Sequence, residues 1–345
     1  MHDKRTPVAW QILSALRVLA LAAVTVTALT LFTLPAGATQ VRQVVPLGQA
    51  AGIKLFSDGV LVGGTGEIEG KNPARTCGLK EGDIITHINS TQVDSIEHVR
   101  EILQTVGEDT MSIRATRNGK PLQMTAKAVQ CSTDGTYKLG AWIRDSMAGI
   151  GTLTYYDPES GTFGALGHGV NDVDTSLLLP LESGGLMPVQ VSGVKKGQSG
   201  QPGELHGSFE VQTEIGTLSA NTNSGIFGTL TTTPEGTMAA LPVAKRSEIR
   251  TGKATILSTV TGDKVEEYEV EILRLFPDSS NDTRDLMLRV TDPRLLEVTG
   301  GIVQGMSGSP ILQNGKIIGA VTHVLVSDPT RGYGIALEDM LEAAG

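Results

Sequence analysis

Gly305-Met306-Ser307-Gly308-Ser309-Pro310-Ile311-Leu312-Gln313-Asn314-Gly315-Lys316-Ile317-Ile318-Gly319-Ala320-Val321 holds, in one stretch, a candidate nucleophile and the β-structure that would carry it. A serine hydroxyl is a weak nucleophile at neutral pH and needs a base within hydrogen-bond reach, with donors aimed at the developing oxyanion. Glycines on both sides of Ser307 let the backbone turn tightly and present N–H groups, and those of Gly305 and Ser307 are the expected donors. Pro310, Ile311 and Leu312 begin a strand, Asn314-Gly315 is a hairpin turn, and Lys316 to Val321 returns beside it. A second Gly-x-Ser-Gly, Gly197-Gln198-Ser199-Gly200, sits between Lys195-Lys196 and Gln201-Pro202-Gly203 with no apolar strand adjoining, so it reads as a polar loop. The strand context, and not the four-residue pattern, selects Ser307.

Outward from this stretch, residues 139–345 are short apolar runs between Gly, Asn and Asp turns, such as Gly149 to Thr154 and Ala254 to Leu257, with one short helix near Leu337 to Ala343. That pattern predicts an all-β sandwich or barrel. Strand–turn–strand after Gly-x-Ser-Gly-x-Pro resembles the nucleophile region of chymotrypsin-like peptidases. The base would come from His168, His206 or His323; His168, bracketed by glycines in Gly164-Ala165-Leu166-Gly167-His168-Gly169, has the least crowded ring. A carboxylate that fixes the imidazole tautomer would complete the set, and Asp157, Asp172, Asp174, Asp292 and Asp328 are the candidates. Asp292 stands on a loop at the end of the apolar run Leu286 to Val290.

Residues 44–130 read as a small α/β unit. Ile53-Lys54-Leu55 and Val60-Leu61-Val62 flank Ser57-Asp58-Gly59, a hairpin signal. Ser95 caps a predicted helix carrying Ile96, Val99, Ile102 and Leu103 on one face, and Asn118-Gly119 joins two further strands. The run GLKEGDIITHINSTQV, from Gly78 to Val93, resembles the core of bacterial PDZ domains. Such domains bind peptide C-termini as an added strand, and the resemblance puts the carboxylate loop at Gly48, Gly52 and Ile53.

Composition narrows the remaining classes. The 345 residues suit two domains, and 19% charged residues argue against long disordered tails. A net charge of −9 with no basic stripe gives no support to nucleic-acid binding. The six histidines and two cysteines show neither HExxH nor CxxC spacing, so no metal or other cofactor is expected. Lys4, Arg5 and Arg17 precede an apolar run from Val18 to Leu34, roughly 25 Å long as a helix, followed by Pro35 and the small residues Ala36-Gly37-Ala38. Residues 1–38 therefore read as a signal peptide or membrane anchor, and export would allow Cys77 and Cys131 to pair.

The longer motifs PLGQAAGIKLFSDGVLV (46–62), GIGTLTYYDPESGTFGALGHGVNDVDT (149–175) and GMSGSPILQNGKIIGAVTHV (305–324), in this order, resemble the stage IV sporulation protein B peptidase family. The resemblance implies a mainly β chain: a small α/β PDZ domain followed by a chymotrypsin-like double β-barrel peptidase domain. It implies an exported serine endopeptidase of the forespore intermembrane space that cleaves itself and a membrane-bound regulator of an intramembrane metalloprotease, permitting late sigma-factor activation. The family's catalytic residues fall on His168, Asp292 and Ser307, and a supporting threonine falls on Thr322. In chymotrypsin-like enzymes the acid lies farther upstream, so Asp292 is either the orienter or a supporting residue. The competing expectation is a PDZ-based binding module on an inactive peptidase scaffold.

Overall fold

The computed structural model describes residues 42–209, 213–232, 238–276 and 283–345. The expected signal peptide or anchor lies outside the described residues. Among the described residues no helix is long and apolar enough to cross a membrane, and no cluster of His, Cys, Asp or Glu is arranged to hold a metal ion.

Two closed barrels carry the molecule. The first begins with the strand Ala50–Thr65, whose first half is hydrogen-bonded on both edges. Ala50 to Phe56 pair with Thr152 to Ser146 on one side, and Ala51 to Phe56 pair with Pro188 to Ser183 on the other. The ring continues through Gly216–Thr222, Gly225–Leu230 and Thr162–Ala165 back to the long strand Ala141–Asp157. Alternation sends Ala51, Ile53 and Leu55 inward, against Leu153, Phe163, Leu186 and Ile226. The second barrel runs Gly252–Ser258, Glu266–Leu275, Leu286–Val290, Arg331–Ala336, Lys316–Val324 and Pro310–Gln313, and closes where Thr255 and Ile256 pair with Leu312 and Ile311. Its core includes Ile256, Val270, Leu288, Met306, Ile311 and Val321. Asn314 and Gly315, at φ 53° and 73°, form the hairpin turn the sequence predicts.

The PDZ unit precedes the bulk of the peptidase domain, and one strand of the first barrel precedes the PDZ unit. Past Phe56 the first strand continues out of the barrel. Its second half pairs with Ile84–Ile85 and with Ala141 to Arg144, the outer half of the same strand that closes the barrel. Ile84–Ile88, Thr110–Arg117 and Lys120–Lys127 complete this sheet, and the helices Pro73–Cys77 and Ile96–Val106 cover it. Val60, Val62, Ile85, Ile88, Val99, Leu103 and Ile113 make its core. Two sequence expectations are corrected here. Ser57-Asp58-Gly59 is not a hairpin turn: the strand runs straight through it with a register shift between Phe56 and Leu61. Gly59, at φ 96°, takes up that bulge, with no room for a side chain against Ile85 O. The PDZ boundary at residue 44 also moves, because Gln43–Pro46 and Ala50 to Phe56 belong to the first barrel. Cys77 and Cys131 are both free thiols.

Candidate active site

Met306 is fully buried in the core of the second barrel and anchors the loop that carries Ser307. Around it, Met306 N–H donates to Val303 O (3.1 Å), Gln304 N–H to Gly203 O (2.9 Å) and Gly308 N–H to Val321 O (2.7 Å). The N–H groups of Gly305 and Ser307 have no acceptor among the described residues and stay available for a ligand. Gly305 and Gly308 sit at φ 98° and 97°, a region closed to most side chains, and a Cβ on Gly308 would lie 2.0 Å from Thr152 O.

Thr152, on the inner half of Ala141–Asp157, grips the loop from the opposite barrel. Its N–H donates to Ser307 O at 2.9 Å and its hydroxyl to Gly305 O at 2.7 Å. Sequence reasoning had no signal for this residue, since its partners lie far along the chain. Thr322, the expected supporting residue, accepts the Ser307 hydroxyl at its carbonyl (2.8 Å) and donates its own hydroxyl to Thr283 O (2.8 Å).

His168 leaves the strand Thr162–Ala165 through two successive left-handed residues, Leu166 (φ 68°) and Gly167 (φ 69°). A bulky residue at positive φ costs on the order of 1–3 kcal/mol and marks a site whose direction the surroundings impose. The space at Gly167 is also tight, because a Cβ there would stand 2.9 Å from Thr322 Cγ2. His168 Nδ1 lies 2.9 Å from Gly169 O. That contact assigns the proton to Nδ1 and leaves Nε2 as the basic nitrogen. Burial holds its pKa below the ordinary imidazole value, so the ring is neutral near pH 7. The ring of His323 packs against it, centroids 5.1 Å apart at a 35° tilt. His206 lies exposed on the strand Glu204–Phe209.

The five candidate carboxylates are each paired with an arginine. Asp157 meets Arg42 at 2.8 Å, Asp172 and Asp174 share Arg144, Asp292 meets Arg294 at 2.8 Å and Asp328 meets Arg331 at 3.1 Å. Asp292 is 4% exposed and caps the helix Pro293–Thr299, accepting from Arg294 N–H at 2.9 Å. Its hydrogen bonds from the Arg294 side chain hold its carboxyl below the usual range. Its described hydrogen bonds run to Arg294 and to Glu269 N–H, while His168 Nδ1 meets Gly169 O. The helix it caps leads directly into the loop Gly300 to Ser307.

Ser307, His168, His323, Thr322 and Gly305 line one cleft of about 470 Å³ between the barrels. Ile53, expected at a PDZ carboxylate loop, lines this same cleft. Gly48 packs against Leu257 of the second barrel and Gly52 against the ring of Phe209. The PDZ unit has a cavity of its own. Leu139-Gly140-Ala141-Trp142-Ile143 lie across from Ile96, Val99 and Leu103 of the helix Ile96–Val106, with a cavity of about 750 Å³ between them.

No curated protein sequence matches the chain. Residues 71–117 match the PDZ domain family. Among solved structures, the PDZ domain of the SdrC-like protein Lmo2051 from Listeria monocytogenes is similar, with 25% identity over 25% of this chain and 87% of that one (TM-score 0.22). The active form of the Rv3671c protease from M. tuberculosis is similar at 14% identity over 58% of this chain and 75% of that one (TM-score 0.32). The thermostable serine protease AL20 from an extremophilic microorganism shows 13% identity over 57% and 91% (TM-score 0.33). Residues 135–341, more than half of the sequence, match the family described as SpoIVB peptidase S55, and the chain accordingly belongs to that family as a PDZ-containing serine endopeptidase.

Proposed function

We propose that Ser307 is the nucleophile, His168 its general base, and the N–H groups of Gly305 and Ser307 the oxyanion hole. The observation that carries this reading is that all three components meet in one cleft with the acceptor nitrogen of His168 already defined. In the resting arrangement the Ser307 hydroxyl donates to Thr322 O. Rotation about χ1 hands it to His168 Nε2. As Oγ attacks the scissile carbonyl, its proton passes to Nε2 and the carbonyl oxygen becomes an oxyanion between the two N–H groups. His168 then protonates the leaving amine, and a water molecule, deprotonated by the same nitrogen, releases the acyl group from Ser307. Gly169 O holds the ring in place of a carboxylate.

The substrates we propose are this chain itself, near its N-terminus, and a membrane-associated regulator of an intramembrane metalloprotease, acted on after export during sporulation. Family membership and the apolar segment Val18 to Leu34 support this reading. The groove between Leu139–Ile143 and the helix Ile96–Val106 would hold an extended peptide tail. The placement of the Ser307 hydroxyl on Thr322 O favours one rival reading, a PDZ binding module on an inactive scaffold. A fluorophosphonate separates the two. The active enzyme labels at Ser307, and Ser307→Ala abolishes both labelling and self-cleavage while remaining folded. An unlabelled wild-type protein, or a fully active Ser307→Ala, would overturn the assignment.

A further inference from the structure

The walls of the cleft carry chemistry that the catalytic groups do not use. Ile302, Val303 and Gln304 stand immediately before the expected oxyanion donors Gly305 and Ser307, and Val324 and Val326 come shortly after Thr322, beyond His323. A peptide whose scissile carbonyl points at those two N–H groups must place the side chain on its acyl side between these two segments. Among the described residues that line the cleft none is an Asp, Glu, Lys or Arg; the polar side chains are Gln304, Ser307, Thr322, His168 and His323. Ile302 and Val303, 2% and 1% exposed, are fixed in the core of the second barrel, with Ile302 Cδ1 close against Gly332.

We infer that this peptidase selects an uncharged apolar residue, such as valine or leucine, on the acyl side of the bond it cleaves. The inference rests on the serine-peptidase reading and deepens it. A lysine or aspartate entering this pocket would lose its hydration and meet no opposite charge, and that cost falls on the transition state that labelling or cleavage must cross.

The test uses the full chain and a set of peptidyl diphenyl phosphonates that differ only in the residue at the phosphorus: Val, Leu, Phe, Lys and Asp. Each probe forms a Ser307 Oγ–P bond with loss of phenol, so the rate reads the acyl-side preference and peptide mapping reads the site. The Val, Leu and Phe probes are each expected to label Ser307 more than tenfold faster than the Lys and Asp probes. A Lys or Asp probe within tenfold of the Val probe would overturn the inference. In Val324→Asp the Lys probe is expected to gain at least tenfold relative to the Val probe; no gain there removes Val324 from the wall and counts against the pocket as drawn. Labelling of Ser307 in a different order of probes leaves the serine-peptidase reading standing and removes only the specificity. A protein that no probe and no simple fluorophosphonate labels removes both.

Discussion

His168 and Asp292 show how single residues acquire roles from contacts the chain makes at a distance. The glycines around His168 mark a ring held clear of its neighbours, and the structure adds the reason: Leu166 and Gly167 in left-handed conformation turn the side chain into the cleft. Its surroundings also define how activity should depend on pH. Burial penalises the imidazolium, so the folded pKa lies below the ordinary value of about 6.5. The basic form therefore persists to lower pH than an exposed histidine would allow, and activity is lost as pH falls through the lowered pKa. The acid limb of kcat/KM for a neutral peptide should have its midpoint below about pH 6.5; a midpoint at or above that value would mean the ring is solvated or carboxylate-paired in the working enzyme. The loop around Ser307 was legible because it needs neighbours in sequence, two glycines and a hairpin. The partner of each candidate carboxylate was not, because a carboxylate chooses its partner through space, and among the described residues Arg42, Arg144, Arg294 and Arg331 pair with the candidates.

At the scale of elements, one strand and one helix set the catalytic loop. Ala141–Asp157 lines the PDZ groove at Ala141 to Ile143, the cleft at Met147 to Ile150, and clamps the loop at Thr152. The helix Pro293–Thr299 holds the other end, closing on Gly300 at φ 72° just before the wall residues Ile302 and Val303. Asp292 caps this helix, and loss of such a cap costs about 1–2 kcal/mol. Asp292→Ala should lower unfolding stability by about that amount in urea denaturation, while Asn, an equally good cap, should recover most of it. Fluorophosphonate labelling per folded molecule should fall little in either variant. A large loss of labelling in a fully folded Asp292→Ala would place Asp292 in the catalytic machinery. The hairpins at Asn118-Gly119 and Asn314-Gly315 were readable because their residues suit only a tight turn. Ser57-Asp58-Gly59 uses the same residue types for a bulge, and only the pairing on both edges tells the two apart.

The whole molecule is nested, and no local pattern announces nesting. Periodicity identifies strands but not their partners, so the first strand was assigned to the module that follows it in sequence. Pairing assigns Ala50 to Phe56 to the first barrel and Val60 to Thr65 to the PDZ sheet. The two ways of removing the PDZ unit should therefore differ sharply. Deleting 44–130, the span read from sequence, takes out a barrel strand paired on both edges, together with Ala51, Ile53 and Leu55 of the core. Burying such side chains stabilises by roughly 1.5–3 kcal/mol each for the larger ones, and their joint loss is of the order of a domain's entire stability. That variant should not fold. Phe56 and Ser146 are direct antiparallel partners, so an Asn-Gly turn in place of residues 57–145 bridges adjacent strand ends and leaves every strand of the first barrel in place. This shortened chain should unfold cooperatively on heating and still label at Ser307. If the 44–130 deletion folds and labels while the hairpin variant does not, the barrel is not built from the strand pairing described here. If both fold, the strand Ala50 to Phe56 is dispensable and the PDZ unit is appended, not inserted.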